Sequence, residues 1–563
     1  MRRMPDRAPA SSDELVFLPL GGTGEIGMNF NLYGYGPPAE RKWLAIDLGI
    51  TFPDASQPGI EVIMPDPTFI EGERQNLLGL VLTHAHEDHI GAVPYLWPRL
   101  RCPVYATPFT AAMLRSKLAE AGLLDQVPLN EISLGGKLTL GPFDLTFITL
   151  THSIPEPNAI AIRTPLGNVM HTGDWKIDDA PMVGGATDVA ALEAFGDEGC
   201  RAIVCDSTNV LSPGRSGSEE DVRRNLTALI GTLKGRVAVT TFASNVARLE
   251  SIMKAAEANG RHVVLVGRSM HRVTAAARET GYLRHVAPWV SEEDAGYLPP
   301  ESVLFLCTGS QGEARAALSR IAAGDHRNIS LERGDTVVFS SKIIPGNELP
   351  IFALHNQLSE RGIDVLTEKD HDVHVSGHPC RDELMQMYQW VRPELAIPVH
   401  GEPRHLLAHA ELAEELQVPE QLVLRNGLMA RIAPGPAQVI DEVPAGRLLL
   451  DGTVMVRDGE APLRERRQMS FAGMAVVALV LDSNGRLEAE PMISVEGIPD
   501  LEDGLAVGDT CREAAEDAVS RMRKSRAARD DDAVAEAVRR AVRGRIRFLW
   551  GKKPPVRVLV TRI

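Results

Sequence analysis

No stretch of the chain approaches the run of about 20 apolar residues that a membrane-spanning helix requires, and the segment around Arg2, Arg3 and Arg7 lacks the apolar core of a secretion signal. A cytoplasmic protein with no membrane partner is the expectation. Paired cysteines are missing as well. Cys102, Cys200, Cys205, Cys307, Cys380 and Cys511 are scattered and form no CxxC pair, which argues against a disulfide framework or a thiolate zinc site and leaves small buried residues. Internal repeats and low-complexity tracts are absent too. Finally, the chain has no excess of positive charge: its formal net charge is −16, so it is not basic all over, as a non-specific nucleic-acid coat protein would be. A nucleic-acid substrate stays open, because a local basic groove and metal ions can sit inside an acidic whole.

What is present is an ordinary globular composition, 44% hydrophobic and 24% charged, in a chain of 563 residues, too long for one compact core. From Leu15 to about Ser207, β-like runs such as Val16–Leu20, Trp43–Ile46, Leu80–Thr83, Leu145–Leu150 and Ala202–Cys205 alternate with turn signals. From about Gly214 to Pro379, runs such as Val237–Thr241, His262–Val266, Val303–Cys307 and Thr336–Ser340 alternate with helical stretches such as Asn245–Asn259, the pattern of a parallel α/β sheet. A third segment resumes with a helix and the run Leu395–Val399, ending at His400. A polar stretch, 457–468, reads as a linker. Beyond it, Met474–Leu481, two charged helical stretches (roughly Thr510–Ala528 and Asp532–Leu549) and Val556–Val560 read as a small α/β domain.

Near the start, Gly22-Thr23-Gly24-Glu25-Ile26-Gly27 spells GxGxxG with Asp47 downstream, the fingerprint of a dinucleotide-binding turn. That fingerprint needs a helix after the glycines. Asn29–Tyr35 instead alternates polar and apolar residues and leads into Gly34 and Gly36, so a hairpin and a glycine-rich turn at the edge of an active site are expected.

The strongest signal is Leu80-Val81-Leu82-Thr83-His84-Ala85-His86-Glu87-Asp88-His89, an apolar strand delivering three histidines and an aspartate within six residues. His84 and His86 share a side by the two-residue period of a strand, and the following turn can aim Asp88 and His89 at a neighbouring point. One loop can thus serve two adjacent cations. Imidazole with carboxylate suits Zn²⁺, with Mn²⁺ as competitor; the bland reading is a solvated polar loop.

This HxHxDH motif resembles the signature of the metallo-β-lactamase fold, an αββα sandwich. Asp47, Thr151-His152-Ser153 and His171-Thr172-Gly173-Asp174 resemble the family's further motifs. The resemblance implies one zinc on His84, His86 and His152, a second on Asp88, His89 and His400, Asp174 bridging, and Asp47 behind them orienting the histidine loop. His171 is the residue most easily confused with a ligand.

More than 200 residues separate Asp174 from His400, which resembles the β-CASP α/β domain inserted in nucleic-acid-processing members. Cys205-Asp206-Ser207-Thr208-Asn209, His374-Val375-Ser376-Gly377-His378 and Pro398-Val399-His400-Gly401-Glu402 match three motifs of that group in order. Leu20–Asn29, Thr308–Glu313 and the extra C-terminal domain resemble the ribonuclease J family in particular. That likeness implies domains at 1–213 and 381–456 (metallo-β-lactamase), 214–380 (β-CASP) and 469–563 (C-terminal). It also implies a two-zinc ribonuclease with 5′-to-3′ exonuclease and endonuclease action in RNA maturation and decay. Asp88, His378 and Asp206 become catalytic candidates, His378 as proton donor and Asp206 as its partner. His374, Val375, Ser376, Gly377 and His378, with Ser341, become the cradle of a 5′-monophosphate. A homodimer or homotetramer, RNA-degradation partners and a structural Ca²⁺ near Glu61 and Asp451 are further expectations from the same likeness. The competing readings are a zinc hydrolase of small esters, a β-CASP DNA-processing nuclease and a catalytically silent RNA-binding scaffold.

Overall fold

The computed structural model describes residues 12–500, 506–523 and 525–563; the segment carrying Arg2, Arg3 and Arg7 lies outside them. Two large sheets are built from strands of the first 206 residues and of the return segment 393–442. One has eight strands, in the order Gln438–Glu442, Leu428–Ala433, Glu14–Gly21, Phe30–Gly36, Lys42–Ile46, Leu77–Val81, Val104–Ala106 and Leu129–Glu131. The other has seven, in the order Glu420–Gln421, Pro393–Val399, Cys200–Asp206, Gly167–His171, Asn158–Thr164, Phe143–Thr149 and Lys137–Leu140.

The two-residue period sorts the side chains of the second sheet. Phe147, Ile160, Val169, Val204 and Ile397 point inward onto Phe17, Tyr33, Ile46 and Val81 of the first sheet. Their chain neighbours Ile148, Ala161, Met170, Ile203 and Ala396 point outward onto Leu192, Phe195, Leu384, Met387 and Leu412, from the helices Val189–Asp197, Arg381–Val391 and Pro403–Glu415. Strands covered on both faces must be apolar at nearly every position. On the far side, helix Pro108–Glu120 packs against Val104–Ala106 and Leu129–Glu131. The result is the expected αββα sandwich.

The insert is a five-stranded, wholly parallel sheet in the order His262–Val266, Val303–Cys307, Val237–Thr240, Thr336–Phe339, Asp364–Leu366. It leaves the sandwich after Cys200–Asp206 and returns at Pro393–Val399, which pairs parallel to that strand with Asp206 opposite Val399. Residues almost 200 positions apart therefore meet at one sheet end.

A buried polar chain ties insert to sandwich. Lys176 pairs with Asp178 at 3.1 Å, and Asp178 accepts from Ser218 Oγ at 2.7 Å and from the Glu219 amide at 3.0 Å. Glu219 holds the Arg248 guanidinium through Nε and Nη2, both at 2.9 Å. Arg248 Nη1 then donates to the Ser340 carbonyl at 3.0 Å and the Val373 carbonyl at 3.1 Å.

Phe52–Ile63 and Leu448–Ile563 cluster as a second compact unit. Its central strand Met474–Leu481 buries every second residue, runs parallel to Val556–Arg562 and antiparallel to Met492–Glu496, and is covered by helices Val507–Met522 and Asp531–Trp550. Two expectations change here. The stretch 457–468 is not a linker: helix Ala461–Ala472 occupies most of it, and its charge hid the periodicity because only Leu463 and Ala472 are buried. Residues 52–63 belong to this unit rather than to the first domain. Of the two carboxylates expected near Ca²⁺, Asp451 pairs with the Arg466 guanidinium at 2.5 Å, and Glu61 accepts from the Gly452 amide at 3.0 Å. Among the described residues no helix is long and apolar enough to cross a membrane.

The buried pair makes a stability prediction. Arg248→Met strands Glu219 without its partner and lowers stability by about 3–5 kcal/mol, read from the urea midpoint. Glu219→Leu combined with Arg248→Met costs less than the sum of the two single changes. A wild-type midpoint for Arg248→Met contradicts this.

Candidate metal centre

The histidine loop leaves the sheet after Leu77–Val81 and passes into a single helical turn, Glu87–Ile90. Its neighbour strand Lys42–Ile46, paired parallel with Ile46 opposite Val81, delivers Asp47 in a left-handed conformation with φ 61°. The Asp47 carboxylate accepts from the Thr83 amide at 2.8 Å and Thr83 Oγ1 at 2.9 Å, and it faces His89 Nδ1 at 2.7 Å. With Nδ1 engaged, His89 Nε2 is left to face Asp174 at 3.2 Å. Asn29 steadies the same turn, its side chain donating to the Asp88 carbonyl at 3.1 Å. Gly49 is obligatory here, since a Cβ would sit 1.7 Å from that carbonyl.

The remaining residues come from strand ends further along. His152 follows Phe143–Thr149 and Asp174 follows Gly167–His171. Asp206 ends its own strand, and His400, with φ 51°, follows Pro393–Val399. Three groups result, each with its ligand atoms within 4.8 Å of one another: His84, His86, His152 and Asp174; Asp88, His89, Asp174 and His400; Asp174, Asp206, His378 and His400. Asp174 belongs to all three. Asp47 belongs to none, and neither does His171, which lies in the core with Nδ1 3.0 Å from the Tyr33 hydroxyl.

The electrostatics divide the cluster. Burial, reinforced by neighbouring imidazoles, pulls His84 and His152 well below the ordinary range; burial brings His86 to about 4. These three are neutral lone-pair donors. Burial also pulls on His89 and His400, but Asp174 and the other carboxylates raise both well above the ordinary value. Those positions demand positive charge.

The donor set fits divalent metal ions. His86 Nδ1 lies 3.1 Å from both His84 Nε2 and His152 Nε2, so three ring nitrogens converge on one point. Asp174 Oδ1 is buried without a hydrogen bond; His400 Nδ1 is 2.9 Å away but outside hydrogen-bonding angles. Buried lone pairs and carboxylates so arranged are costly unless a cation lies among them.

The insert's loop closes over this cluster. His378 Nδ1 faces Asp206 Oδ2 at 2.8 Å, and the Gly377 carbonyl meets His152 Nδ1. A Cβ on Gly377 would lie 2.8 Å from the His152 ring. Ser376 Oγ accepts from Asn209 Nδ2 at 2.7 Å, and His374 Nδ1 lies 3.4 Å from Arg248; Val375 lies against Gly217. Ser340 donates to the Val373 carbonyl at the start of this loop at 2.7 Å, and its neighbour Ser341 lines a cavity of the insert. Sequence reasoning assigned no role to Asn29, Gly49, Asn209 or Arg248. Asn29 and Asn209 stood inside matched motifs, whereas Gly49 and Arg248 carried no local signal.

A two-sheet sandwich with a histidine-aspartate centre at its strand ends and a parallel α/β insert defines a metallo-β-lactamase-fold protein of the β-CASP type. Family models match along the chain in the same order: a beta-lactamase superfamily domain at 51–204, a ribonuclease J beta-CASP domain at 234–358, a Zn-dependent metallo-hydrolase RNA specificity domain at 362–421 and a ribonuclease J C-terminal domain at 461–563. The chain is 49% identical over 556 residues to ribonuclease J of Sinorhizobium meliloti, covering 98% of each. It is 40% identical to ribonuclease J of Corynebacterium glutamicum, over 88% of this chain and 69% of that protein. With ribonuclease J of Thermus thermophilus it shares 36% identity over 83% of this chain and 82% of that one. The chain belongs to the ribonuclease J family. Among solved structures it resembles a protein of unknown function from Enterococcus faecalis, with a TM-score of 0.52 at 16% identity over 74% of this chain and 99% of that one, a likeness of fold alone.

Asp47 gives the prediction of this site. Removing the group that orients His89 through Asp47→Ala lowers affinity for a divalent metal about 10- to 100-fold, measured by competition with a chromophoric chelator. Unchanged affinity contradicts the role of Asp47.

Proposed function

We propose that the chain is a ribonuclease that hydrolyses RNA phosphodiester bonds with two zinc ions, acting as a 5′-to-3′ exonuclease on 5′-monophosphorylated ends and as an endonuclease, in cytoplasmic RNA maturation and decay. The observation that carries this reading is the sharing of Asp174 by three donor groups, one of which contains His378 from the insert. His84, His86 and His152 would hold one zinc and Asp88, His89 and His400 the other, with Asp174 common to both. When bound, the pair supplies Lewis acidity that lowers the pKa of water towards neutrality and offsets the charge gathering on the phosphate.

The chain's own residues do the rest. Asp206 is fixed by the Thr208 amide at 2.8 Å and Thr208 Oγ1 at 2.7 Å, and it engages His378 Nδ1. Nε2 of His378 is then the atom left to hand a proton to the leaving 3′-oxygen. Burial draws His378 down, but Asp206 prevails and keeps it above the ordinary imidazole value, which favours the protonated form a donor needs. His374, Val375, Ser376 and Gly377 form the cradle for a 5′-monophosphate, and the tie from Arg248 to the Val373 carbonyl keeps that loop over the centre.

The test is incubation with 5′-monophosphorylated RNA, 5′-triphosphorylated RNA and DNA, each with and without chelator. Mononucleotides are released fast from monophosphorylated RNA and much more slowly from triphosphorylated RNA, chelator stops both, and DNA is a poor substrate. Ser376→Ala erodes the 5′-end discrimination more than it reduces internal cutting, because a hydrogen bond to a charged group is worth about 1.5–3 kcal/mol. Equal mononucleotide release from both RNAs by the unmutated enzyme defeats the 5′-end reading, and preferential cutting of DNA favours the DNA-processing alternative.

A further inference from the structure

A cavity of about 230 Å³ lies within the insert. Its wall is built from Ser310, Ser341 and Thr367, which stand just beyond the carboxyl ends of Val303–Cys307, Thr336–Phe339 and Asp364–Leu366. The chain crosses from one side of the central strand Val237–Thr240 to the other between Val303–Cys307 and Thr336–Phe339. In open parallel sheets ligands bind at such a crossing, outside the carboxyl strand ends.

The cavity is preformed and chemically mixed. Gln311 ties its two loops together, donating to the Lys342 carbonyl at 2.9 Å and accepting from the Ile344 amide at 2.9 Å. One side is aromatic: the rings of Phe339 and His355 are 4.4 Å apart between centroids, and Phe352, whose ring lies 6.2 Å from that of His355, is 46% exposed. Polar atoms reach it too. His355 Nε2 is buried with no hydrogen-bond partner, Ser310 and Ser341 are buried, and Lys369 stands at the wall. The volume falls below the roughly 300–1,000 Å³ of pockets for drug-sized ligands. A flat ring with a hydrogen-bonding edge meets the aromatic side and the unpartnered polar atoms, and an anion attached to it meets Lys369, with the Glu368 carboxylate also in the wall.

The cavity also adjoins the loop over the metal centre, since Ser340, next to Ser341, donates to the Val373 carbonyl. We propose that it receives one unstacked nucleobase, stacked on Phe352 and bonded at its edge by His355 and Ser341, with Lys369 meeting the attached phosphate. The proposal rests on the reading of the chain as a ribonuclease and adds to it a base-binding site away from the scissile bond. Two sources carry this chemistry, a base of the RNA chain and a released mononucleotide.

RNAs carrying 4-thiouridine at one position at a time, irradiated with the metal-loaded enzyme, distinguish them when combined with a titration of free UMP followed by ligand NMR. For the RNA source, one position crosslinks to the peptide containing Phe352 and His355, and Phe352→Ala raises KM for a ten-nucleotide RNA about tenfold while kcat for a dinucleotide stays the same. For the mononucleotide source, UMP binds saturably, Phe352→Ala abolishes that binding, and the chain does not crosslink there. Crosslinks confined to other peptides, such as the one holding His374–His378, together with no UMP binding, overturn the proposal while leaving the ribonuclease reading intact. So does a change of oligomeric state in Phe352→Ala with unaltered RNA kinetics, which assigns the face to protein contact. Absence of both crosslinking and RNA cleavage overturns the two readings together.

Discussion

Six histidines and three aspartates share one buried volume around Asp174, and the cost of that concentration governs the rest of the site. Buried carboxylates and imidazole lone pairs are tolerable only when opposite charge sits among them. The surrounding structure is arranged to hold the donors apart and aimed. Asp47 fixes one imidazole, Asn29 fixes the backbone of the turn, and Gly49 lets the chain pass beneath it. A Cβ at Gly49 would collide with the Asp88 carbonyl.

Sheet topology does what local sequence cannot. Because Pro393–Val399 lies beside Cys200–Asp206, a long insert can be added between them without disturbing the sandwich, and its loop 374–378 is brought back over the centre. The buried ion chain from Lys176 to Arg248 anchors that return. The histidine-aspartate cluster and the loop over it thus come from two layers of structure joined by one buried polar chain.

The HxHxDH loop was legible because strand period and turn act over six residues. His152, Asp174, Asp206 and His400 were legible only through their resemblance and order, since their meeting depends on which strands pair. Helix Ala461–Ala472 was hidden because it buries too little to show a period. The attachment of 52–63 to the C-terminal unit, and the guanidinium of Arg466 on Asp451, are long-range facts with no local trace.

The central claim is that one buried cluster, organised on Asp174, holds a pair of divalent metals. Elemental analysis of protein never exposed to chelator tests it most directly. The account predicts close to two metals per chain, chiefly zinc, with a clear loss in His86→Ala and Asp88→Ala at unchanged fold. A reproducible value near zero in the unmutated protein would contradict it.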